Sequence, residues 1–253
     1  MKAIIPAAGY ATRLYPLTEF QPKHLLPVVG KPIIAYVIEK IEELNVVDEI
    51  VIVTNEKFYH HFKSWARNFK CSIKIKVVND RTTSVDDRLG AIGDMKFGLT
   101  KAEIDDDLLI ISGDNLFDFS LVEMHQMFVE KQKSVISLYD VRTFEAASKI
   151  GVVELDRDDK IVGFVEKPKH PKSTLGSIGI YFYPKIVIKR ISEYLELGNN
   201  PDAPGHLLEW LYKKEDVYGF IFDKRDYEWF DVGSLASYQE ANKVWDVKVR
   251  TNK

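Results

Sequence analysis

A glycine, a threonine and two cations follow the first apolar run of the sequence. The run KAIIPA covers residues 2–7, and Gly9, Thr12, Arg13 and Lys23 come after it. Glycine lets a ligand approach the backbone closely, and a guanidinium group presents a planar fork of donors that fits phosphate oxygens. Isolated surface cations usually face only water. A strand end, a glycine, an arginine and a lysine in one segment favour a phosphate-binding loop instead.

Alternating strands and helices are expected to position this loop. The apolar patterns predict strands at residues 2–7, 49–55, 72–80 and 106–115, with helices at 31–45 and 56–69. Strands separated by helices predict parallel crossovers and an open sheet that is covered on both faces. In such sheets ligands bind beyond the carboxyl ends of the strands. The opening loop and the acidic turn at Asp114 both fall at that edge.

After residue 133 the pattern changes to strands joined by short turns. The strand patterns cover residues 134–141, 151–156, 160–168 and 175–184, and helical patterns return at 185–197 and 204–214. The segment RDDK (157–160) is predicted to be a hairpin connection. The sequence shows no linker or internal repeat. We therefore expect a single domain over residues 1–253, with a nucleotide-binding half at 1–132 and a second, more antiparallel half at 133–253.

Composition narrows the possible partners and locations. Lys and Arg number 35 against 38 Asp and Glu, so the formal net charge is -3 and no polycationic surface is available for nucleic acid. The single cysteine, Cys71, excludes an internal disulfide framework. No apolar run approaches the ~20 residues that span a bilayer, and the N-terminal MKAIIPAAG is too short for a signal peptide. We expect a cytoplasmic protein that binds neither nucleic acid nor membrane.

Six motifs resemble those of the sugar-1-phosphate nucleotidyltransferases, a family that includes glucose-1-phosphate thymidylyltransferase and the uridylyltransferases. The motifs are AAGYATRLYPLT (7–18), QPKHLLPVVGKPII (21–34), SGDNLF (112–117), IGVVELD (150–156) followed by VGFVEKP (162–168), GSIGIYFYP (176–184) and WFDVGS (229–234). The resemblance implies transfer of a nucleotidyl group from an NTP to a sugar 1-phosphate, with release of pyrophosphate. It also implies a Rossmann-like α/β fold with a mixed, mostly parallel central sheet flanked by helices.

The same resemblance implies roles for particular residues. The nucleotide would be bound by Ala8, Gly9, Thr12, Arg13, Lys23 and Gly90. The sugar phosphate would be bound by Gly151, Glu166, Lys167 and Gly179. The implied catalytic residues are Arg13, Lys23 and Asp114, and the implied ligands of Mg²⁺ are Asp114 and Asp231.

These implied roles make chemical sense. A sugar phosphate has a second pKa near ~6, so it is already mostly anionic at neutral pH and needs no general base. The difficulty is its repulsion from the polyanionic triphosphate, which Arg13, Lys23 and a divalent cation would offset. Two carboxylates, phosphate oxygens and water suit Mg²⁺. Neighbouring residues of a strand point to opposite faces, so Glu166 and Lys167 can meet one ligand only if the strand bends at Pro168 or lies at the cleft edge.

Two features depart from the family's pattern. The usual phosphate loop reads G-x-G-T-R, but Ala11 replaces the second glycine, and its Cβ is expected to disfavour a positive φ. The base-recognition stretch corresponds only loosely to DDRLGAIGDM (86–95), in which Gly90 is the candidate contact. The base is therefore weakly determined, with dTTP and UTP favoured.

His24, together with the pair at 60–61, is predicted to be a surface or packing residue, because a third metal ligand at suitable spacing is lacking.

Other functions stay open on the sequence alone. One is transfer of a cytidylyl group to another phosphorylated alcohol, such as phosphocholine. Another is a regulatory subunit that binds nucleotide sugars without turnover, although the joint presence of Arg13, Lys23, Asp114 and Asp231 argues against a decayed site. The chain ends soon after EANKVW (240–245), so we expect no β-helix with a second, acyltransferase activity. A homo-oligomer also stays open.

Overall fold

The computed structural model describes residues 1–223 and 227–251. Its strands are β1 (Lys2–Pro6), β2 (Pro27–Val28), β3 (Lys31–Pro32), β4 (Glu49–Thr54), β5 (Lys74–Asn79), β6 (Leu108–Ile111), β7 (Asn115–Phe117), β8 (Ser134–Asp140), β9 (Gly151–Leu155), β10 (Ile161–Glu166), β11 (Leu175–Tyr183), β12 (Val217–Phe222) and β13 (Trp229–Asp231). Its α-helices are α1 (Ile33–Glu42), α2 (Tyr59–Asn68), α3 (Ala91–Lys101), α4 (Val122–Lys131), α5 (Phe144–Ala147), α6 (Val187–Glu196), α7 (Pro204–Leu211) and α8 (Leu235–Thr251). Two 3₁₀ turns, Thr12–Leu14 and Lys23–Leu25, lie between β1 and β2.

A mixed sheet forms the centre of the described structure. Its strands follow the order β10, β9, β11, β6, β1, β4, β5, and β8 joins this path by pairing with β11 and with β12. Strands β6, β1, β4 and β5 are parallel, whereas β11 runs antiparallel to β6. The predicted hairpin of β9 and β10 is present. The predicted Rossmann-like α/β fold, with a mixed and mostly parallel sheet flanked by helices, is confirmed.

Helices cover both faces of the sheet because its central strands are apolar on both sides. In β1, Ala3 and Ile5 belong to the buried cluster that includes α1 and α2, and Ile4 belongs to the cluster on the other face with α3, α6 and α7. Strands buried on both faces read as continuous apolar runs, which is why LLII in β6 shows no alternation. The closed faces leave the carboxyl edge of the parallel strands open to a ligand.

Four of the helices, α3, α4, α5 and α8, were not predicted. The sequence of α3 contains Gly93 and Gly98, and glycine weakens the propensity signal of a helix. A Cβ on Gly98 would lie 2.8 Å from Cγ2 of Val53, so this glycine lets α3 pack closely on the sheet. The structure therefore places a helix in the stretch that we interpreted only as a base-recognition segment.

Helix α8 braces the segment that follows β1. Tyr238 donates a hydrogen bond from its hydroxyl to the Pro27 carbonyl at 2.6 Å, and Asn242 Oδ1 accepts one from the Val29 N–H at 3.2 Å. Trp245 of α8 belongs to a buried cluster that also contains Leu14, Leu26, Val28, Ile33, Leu116, Val232 and Ala241. The end of the chain thus supports the segment that carries the first predicted site residues.

Within residues 1–223 and 227–251, no helix is long and apolar enough to cross a membrane.

Candidate active site

Two adjoining cavities open at the carboxyl edge of the parallel strands. The large cavity, of about 360 Å³, is lined by residues that include Ala8, Gly9, Arg13, Lys23, Gly90 and Asp114. The small cavity, of about 160 Å³, is lined by residues that include Asp114, Gly151, Glu166, Lys167, Gly179 and Asp231. Asp114 lies in the wall that the two cavities share. Thr12 lines neither of these two cavities and is instead an exposed residue at the start of a 3₁₀ turn.

Short 3₁₀ turns place the two cations at the large cavity. Arg13 and Lys23 each lie in one of these turns. The first turn starts from Ala11, whose φ of 49° and ψ of 42° are left-handed. The expectation that its Cβ would keep Ala11 out of positive φ is therefore wrong. Thr18 donates a hydrogen bond from Oγ1 to the Ala11 carbonyl at 2.8 Å, and such tertiary contacts can hold a residue in a strained conformation.

Pairing of β7 with β13 brings the two aspartates together. Asp231 lies opposite Asn115 in this antiparallel pair, and the Val232 N–H donates to the Asp114 carbonyl at 3.2 Å. Lys23 Nζ donates a hydrogen bond to Asp114 Oδ2. Lys23, Asp114 and Asp231 therefore form one group of charges, hereafter the junction cluster, at the point where the cavities meet.

Burial and neighbouring charges act against each other in the junction cluster. Burial opposes the charge of Lys23, but the carboxylates of Asp114 and Asp231 outweigh it and raise the pKa of Lys23. Burial also opposes ionisation of Asp114, but the Lys23 ammonium group prevails and lowers the pKa of Asp114. Enclosure in the cleft and the nearby Asp114 carboxylate raise the pKa of Asp231 to about 6, even though this residue stays open to solvent on one side. Added positive charge would relieve the repulsion between the two carboxylates.

Asn115 holds the backbone next to Asp114 in place. Its side chain is buried; Nδ2 donates to the Ile178 carbonyl at 2.6 Å, and Oδ1 accepts from Trp229 Nε1 at 3.3 Å. The side chain thus links β7 to both β11 and β13. Neither Asn115 nor Trp229 was predicted as a site residue. The signal for Asn115 was its position directly after Asp114 in an apolar strand, because a buried amide needs hydrogen-bond partners.

The end of β10 brings Glu166 and Lys167 together. Strand β10 ends at Glu166, and Lys167 has a φ of 46°, which turns the chain at the edge of the cleft. Lys167 Nζ consequently lies 3.6 Å from Glu166 Oε1. Burial raises the pKa of Glu166, and Lys167 offsets this only in part. The turn lies at Lys167, one residue before the bend predicted at Pro168, and both side chains line the small cavity.

Two glycines make room for the Glu166 side chain. A Cβ on Gly205 would lie 1.8 Å from Glu166 Oε2, and a Cβ on Gly151 would lie 2.9 Å from the same oxygen and 2.4 Å from Phe164 Cζ. Gly151 was predicted to let the backbone approach a sugar. In the structure, its lack of a Cβ leaves space for the side chains of Glu166 and Phe164. Gly205 lines the small cavity and was not predicted as a site residue.

Gly90 is held at the start of α3 by the loop that precedes α7. Its φ is 77°, and a Cβ there would lie 2.5 Å from the Pro201 carbonyl oxygen. The N–H groups of Ala91 and Ile92 donate to the carbonyls of Asp202 and Pro201, at 3.2 and 2.9 Å. The chain itself therefore uses the first N–H groups of α3, and this loop fixes the backbone of Gly90 beside the large cavity.

His24 is a packing residue in the wall of the large cavity. Its ring is buried, and the ring centroid is 5.8 Å from that of Phe62. Burial and the adjacent Lys23 lower the pKa of His24 to about 3, so the imidazole is neutral at physiological pH. His60 and His61 are exposed on α2. The prediction of packing or surface positions for these histidines agrees with the structure.

The structure is an α/β fold with a two-part cleft at the edge of its sheet. The chain belongs to the nucleotidyl transferase family, whose model matches residues 2–246. The predicted membership among the sugar-1-phosphate nucleotidyltransferases is confirmed. Members of this family generally use a divalent metal ion.

Individual relatives cover most or all of this chain. It is 35% identical over 260 residues to the bifunctional protein GlmU of Methanocaldococcus jannaschii, in an alignment that covers 100% of this chain and 56% of that protein. It is 28% identical over 253 residues to the UTP–glucose-1-phosphate uridylyltransferase of a Synechocystis species, in an alignment that covers 95% of this chain and 62% of that protein. A crystal structure of UDP-glucose pyrophosphorylase complexed with UDP-glucose matches with a TM-score of 0.78 and 25% identity, covering 98% of both chains. The chain thus spans little more than half the length of these two curated relatives.

Proposed function

We propose that the chain transfers a nucleotidyl group from dTTP or UTP to a sugar 1-phosphate, forming an NDP-sugar and pyrophosphate. The NTP occupies the large cavity, and the sugar 1-phosphate occupies the small cavity. The observation that carries the proposal is the junction cluster of Lys23, Asp114 and Asp231, which lies where the two cavities meet. There the phosphate of the sugar would attack the α-phosphorus of the NTP.

The division of the two cavities between the halves of the chain supports this reading. Residues lining the large cavity come from 1–132, apart from Asp202 and Pro204. Residues lining the small cavity come from 133–253, apart from Ser112, Asp114 and Asn115. We therefore propose a single domain in which the first half binds the nucleotide and the second half binds the sugar phosphate.

Two cations act on the triphosphate. Lys23 keeps its proton because its pKa is raised, and Arg13 is exposed at the large cavity. Both offset the repulsion between the two anionic substrates and stabilise the charge that builds on the phosphate oxygens in the transition state. No residue has to remove a proton from the sugar phosphate, because its second pKa is near ~6. Catalysis then depends on alignment and charge rather than on a general base.

Asp114 and Asp231 fit a divalent metal ion. Their carboxylates repel each other at the junction cluster, as the raised pKa of Asp231 shows, and a cation would relieve that repulsion. Over the described ranges, no group of three or more His, Cys, Asp or Glu side chains is arranged to hold a metal ion. Phosphate oxygens and water would therefore complete the ligand set, which is typical of Mg²⁺. When bound, the ion would neutralise charge on the phosphates during transfer.

Glu166 and Lys167 have different tasks toward the sugar phosphate. The Glu166 side chain is only 10% exposed, and the Lys167 side chain is 60% exposed. The enclosed Glu166 carboxylate would accept hydrogen bonds from sugar hydroxyls, and such donors favour its ionised form despite burial. The Lys167 ammonium group would meet the phosphate as a point charge.

Release of pyrophosphate tests the proposal. Purified protein with Mg²⁺ would be given each of five NTPs with each of a panel of sugar 1-phosphates, and both products would be quantified. We expect NDP-sugar and pyrophosphate in equal amounts, with UTP or dTTP as the best NTP. An Asp114→Asn variant is the matched inactive control. Failure to form NDP-sugar from any substrate pair, by protein that circular dichroism shows to be folded, would contradict the proposal.

A further inference from the structure

Two buried carboxyl groups, one of which lines the large cavity, have no part in the reaction proposed above. Asp80 follows β5, and Asp94 lies in the first turn of α3. They are 7% and 5% exposed, and Asp94 lines the large cavity. Ionising both of two carboxyl groups that are buried together costs much free energy, so such a pair needs a shared proton or a cation.

The hydrogen bonds of Asp80 indicate how the pair is arranged. Asp80 Oδ1 accepts from the N–H and from the hydroxyl of Thr82, at 2.7 and 2.9 Å. Asp80 Oδ2 and Asp94 Oδ1 are both buried, and neither has a hydrogen-bond donor among the described residues. One proton, carried by Asp94 Oδ1 and donated to Asp80 Oδ2, satisfies both atoms. This leaves Oδ2 of Asp94 as the oxygen that can accept a hydrogen bond from a ligand.

The electrostatics of the pair agree with one shared proton. Burial and the neighbouring Asp80 raise the pKa of Asp94 to about 8. Burial likewise raises the pKa of Asp80, although the Thr82 hydrogen bonds oppose this. Asp87 adds further negative charge near Asp80, and both carboxylates act on the Tyr10 hydroxyl, which burial already keeps protonated. At neutral pH the pair therefore holds a proton.

Asp94 lies beside the proposed base contact. It follows Gly90 by one turn of helix, and its N–H donates to the Gly90 carbonyl at 2.8 Å. The cations that would bind the triphosphate, Arg13 and Lys23, belong to another segment of the cavity wall. A base near Gly90 would consequently meet Asp94.

We propose that Asp94 determines base specificity by accepting a hydrogen bond at Oδ2 from the ring imino N–H of the nucleobase, with Asp80 as a positioning residue. The inference rests on the proposed nucleotidyl transfer. Uracil and thymine have one donor on their pairing edge, N3–H, and guanine has N1–H at the equivalent place. Cytosine and adenine present a ring acceptor there. An acceptor at Asp94 would thus favour keto bases.

Methylation of the imino nitrogen tests this contact without changing the protein. For wild type, N3-methyl-UTP should have a kcat/KM at least about tenfold below that of UTP, because the Asp94 oxygen is left unpaired. For Asp94→Ala the same comparison should differ by less than about threefold, since no acceptor is left to lose. Asp158→Asn removes an exposed carboxylate that lines neither of the two cavities and should behave as wild type. Equal penalties for methylation in wild type and Asp94→Ala would overturn the proposal.

The isosteric variant Asp94→Asn provides the second arm. Its amide Nδ2–H can donate to Asp80 in place of the shared proton and its Oδ1 can still accept from the imino N–H, so the preference for UTP over CTP should stay within about threefold of wild type, whereas in Asp94→Ala it should fall about tenfold or more. A melting temperature near that of wild type would show that the fold is kept. An unchanged ranking of NTPs in Asp94→Ala, or a uniform loss with every NTP in that variant, would assign Asp94 a merely structural role and overturn the proposal. If wild type releases no pyrophosphate at all, the proposed reaction fails, and calorimetric binding of UTP and N3-methyl-UTP then decides the case of Asp94 separately.

Discussion

The two cavities of the cleft are built in different ways. In the large cavity the cations lie on short turns, and a Cβ on Gly9 would meet no atom within 4 Å. In the small cavity Glu166 lies at a strand end and is enclosed so closely that a Cβ on Gly205 would overlap it. Loss of charge should therefore harm the large cavity most, whereas a single added methyl group should harm the small one. The junction cluster belongs to both and should be the most sensitive of all.

The largest effect is expected at the junction cluster. Asp114→Asn and Asp231→Asn keep size and one oxygen but remove charge, and each should reduce kcat by about a thousandfold. Because the two carboxylates act as one unit, the double variant should be scarcely slower than either single variant. Steady-state pyrophosphate release measures all three. Losses that simply add in activation free energy would show that the aspartates act independently, and full activity in excess EDTA would exclude a shared metal ion.

The next largest effect is expected for a cation of the large cavity. Lys23→Ala removes an ammonium group that faces both carboxylates and the proposed triphosphate, so kcat should fall about a hundredfold. Lys40→Ala is the control, since Lys40 pairs with Glu43 on the exposed face of α1. Lys23→Ala activity within about threefold of wild type would contradict the assigned role.

A pH dependence of stability should reveal the buried carboxyl pair beside the large cavity. The pKa of Asp94 is raised to about 8 in the folded chain, so between pH 5 and 8 the folded state binds a proton that the unfolded state has lost. Stability should therefore fall as pH rises through this range. Denaturant unfolding should show a decrease about 2 kcal/mol larger for wild type than for Asp94→Asn. Parallel pH curves for the two proteins would refute the shared proton.

A smaller effect is expected from one methyl group in the small cavity. In Gly205→Ala the new Cβ must displace the Glu166 carboxylate, which should raise the KM for the sugar 1-phosphate about tenfold. If the methyl group acts through Glu166, then Glu166→Ala combined with Gly205→Ala should be no worse than Glu166→Ala alone. A raised KM for the NTP in Gly205→Ala would break the contrast between the cavities.

Local patterns in the sequence account for the general architecture and for the residues at strand ends. The apolar runs of β1 and β6 and the spacing of α1 predict the sheet, and Gly9, Arg13 and Asp114 follow strands at the edge where ligands bind. These signals lie within a few consecutive residues, so no knowledge of tertiary contacts is needed to see them.

The features that the sequence did not predict depend on contacts between distant segments. Gly205 has to be glycine because Glu166 lies against it, and the side chain of Asn115 links two strands that come later in the chain. Ala11 has a positive φ against its own preference while Thr18 bonds its carbonyl. The glycines of α3 weakened its helix signal in the sequence, although the packing of this helix requires one of them, Gly98. Local propensity cannot reveal such requirements because the partner residue is far away in sequence.

Separate affinities for the two substrates test the division of the cleft most directly. NTP binding would be measured by calorimetry, and the KM for the sugar 1-phosphate by steady-state kinetics, in Arg13→Ala and in Glu166→Ala. Arg13→Ala should weaken NTP binding about tenfold and leave the KM for the sugar 1-phosphate within about threefold of wild type. Glu166→Ala should raise the KM for the sugar 1-phosphate about tenfold and leave NTP binding within about threefold. Equal losses for both substrates in either variant would contradict a cleft with a nucleotide side and a sugar side.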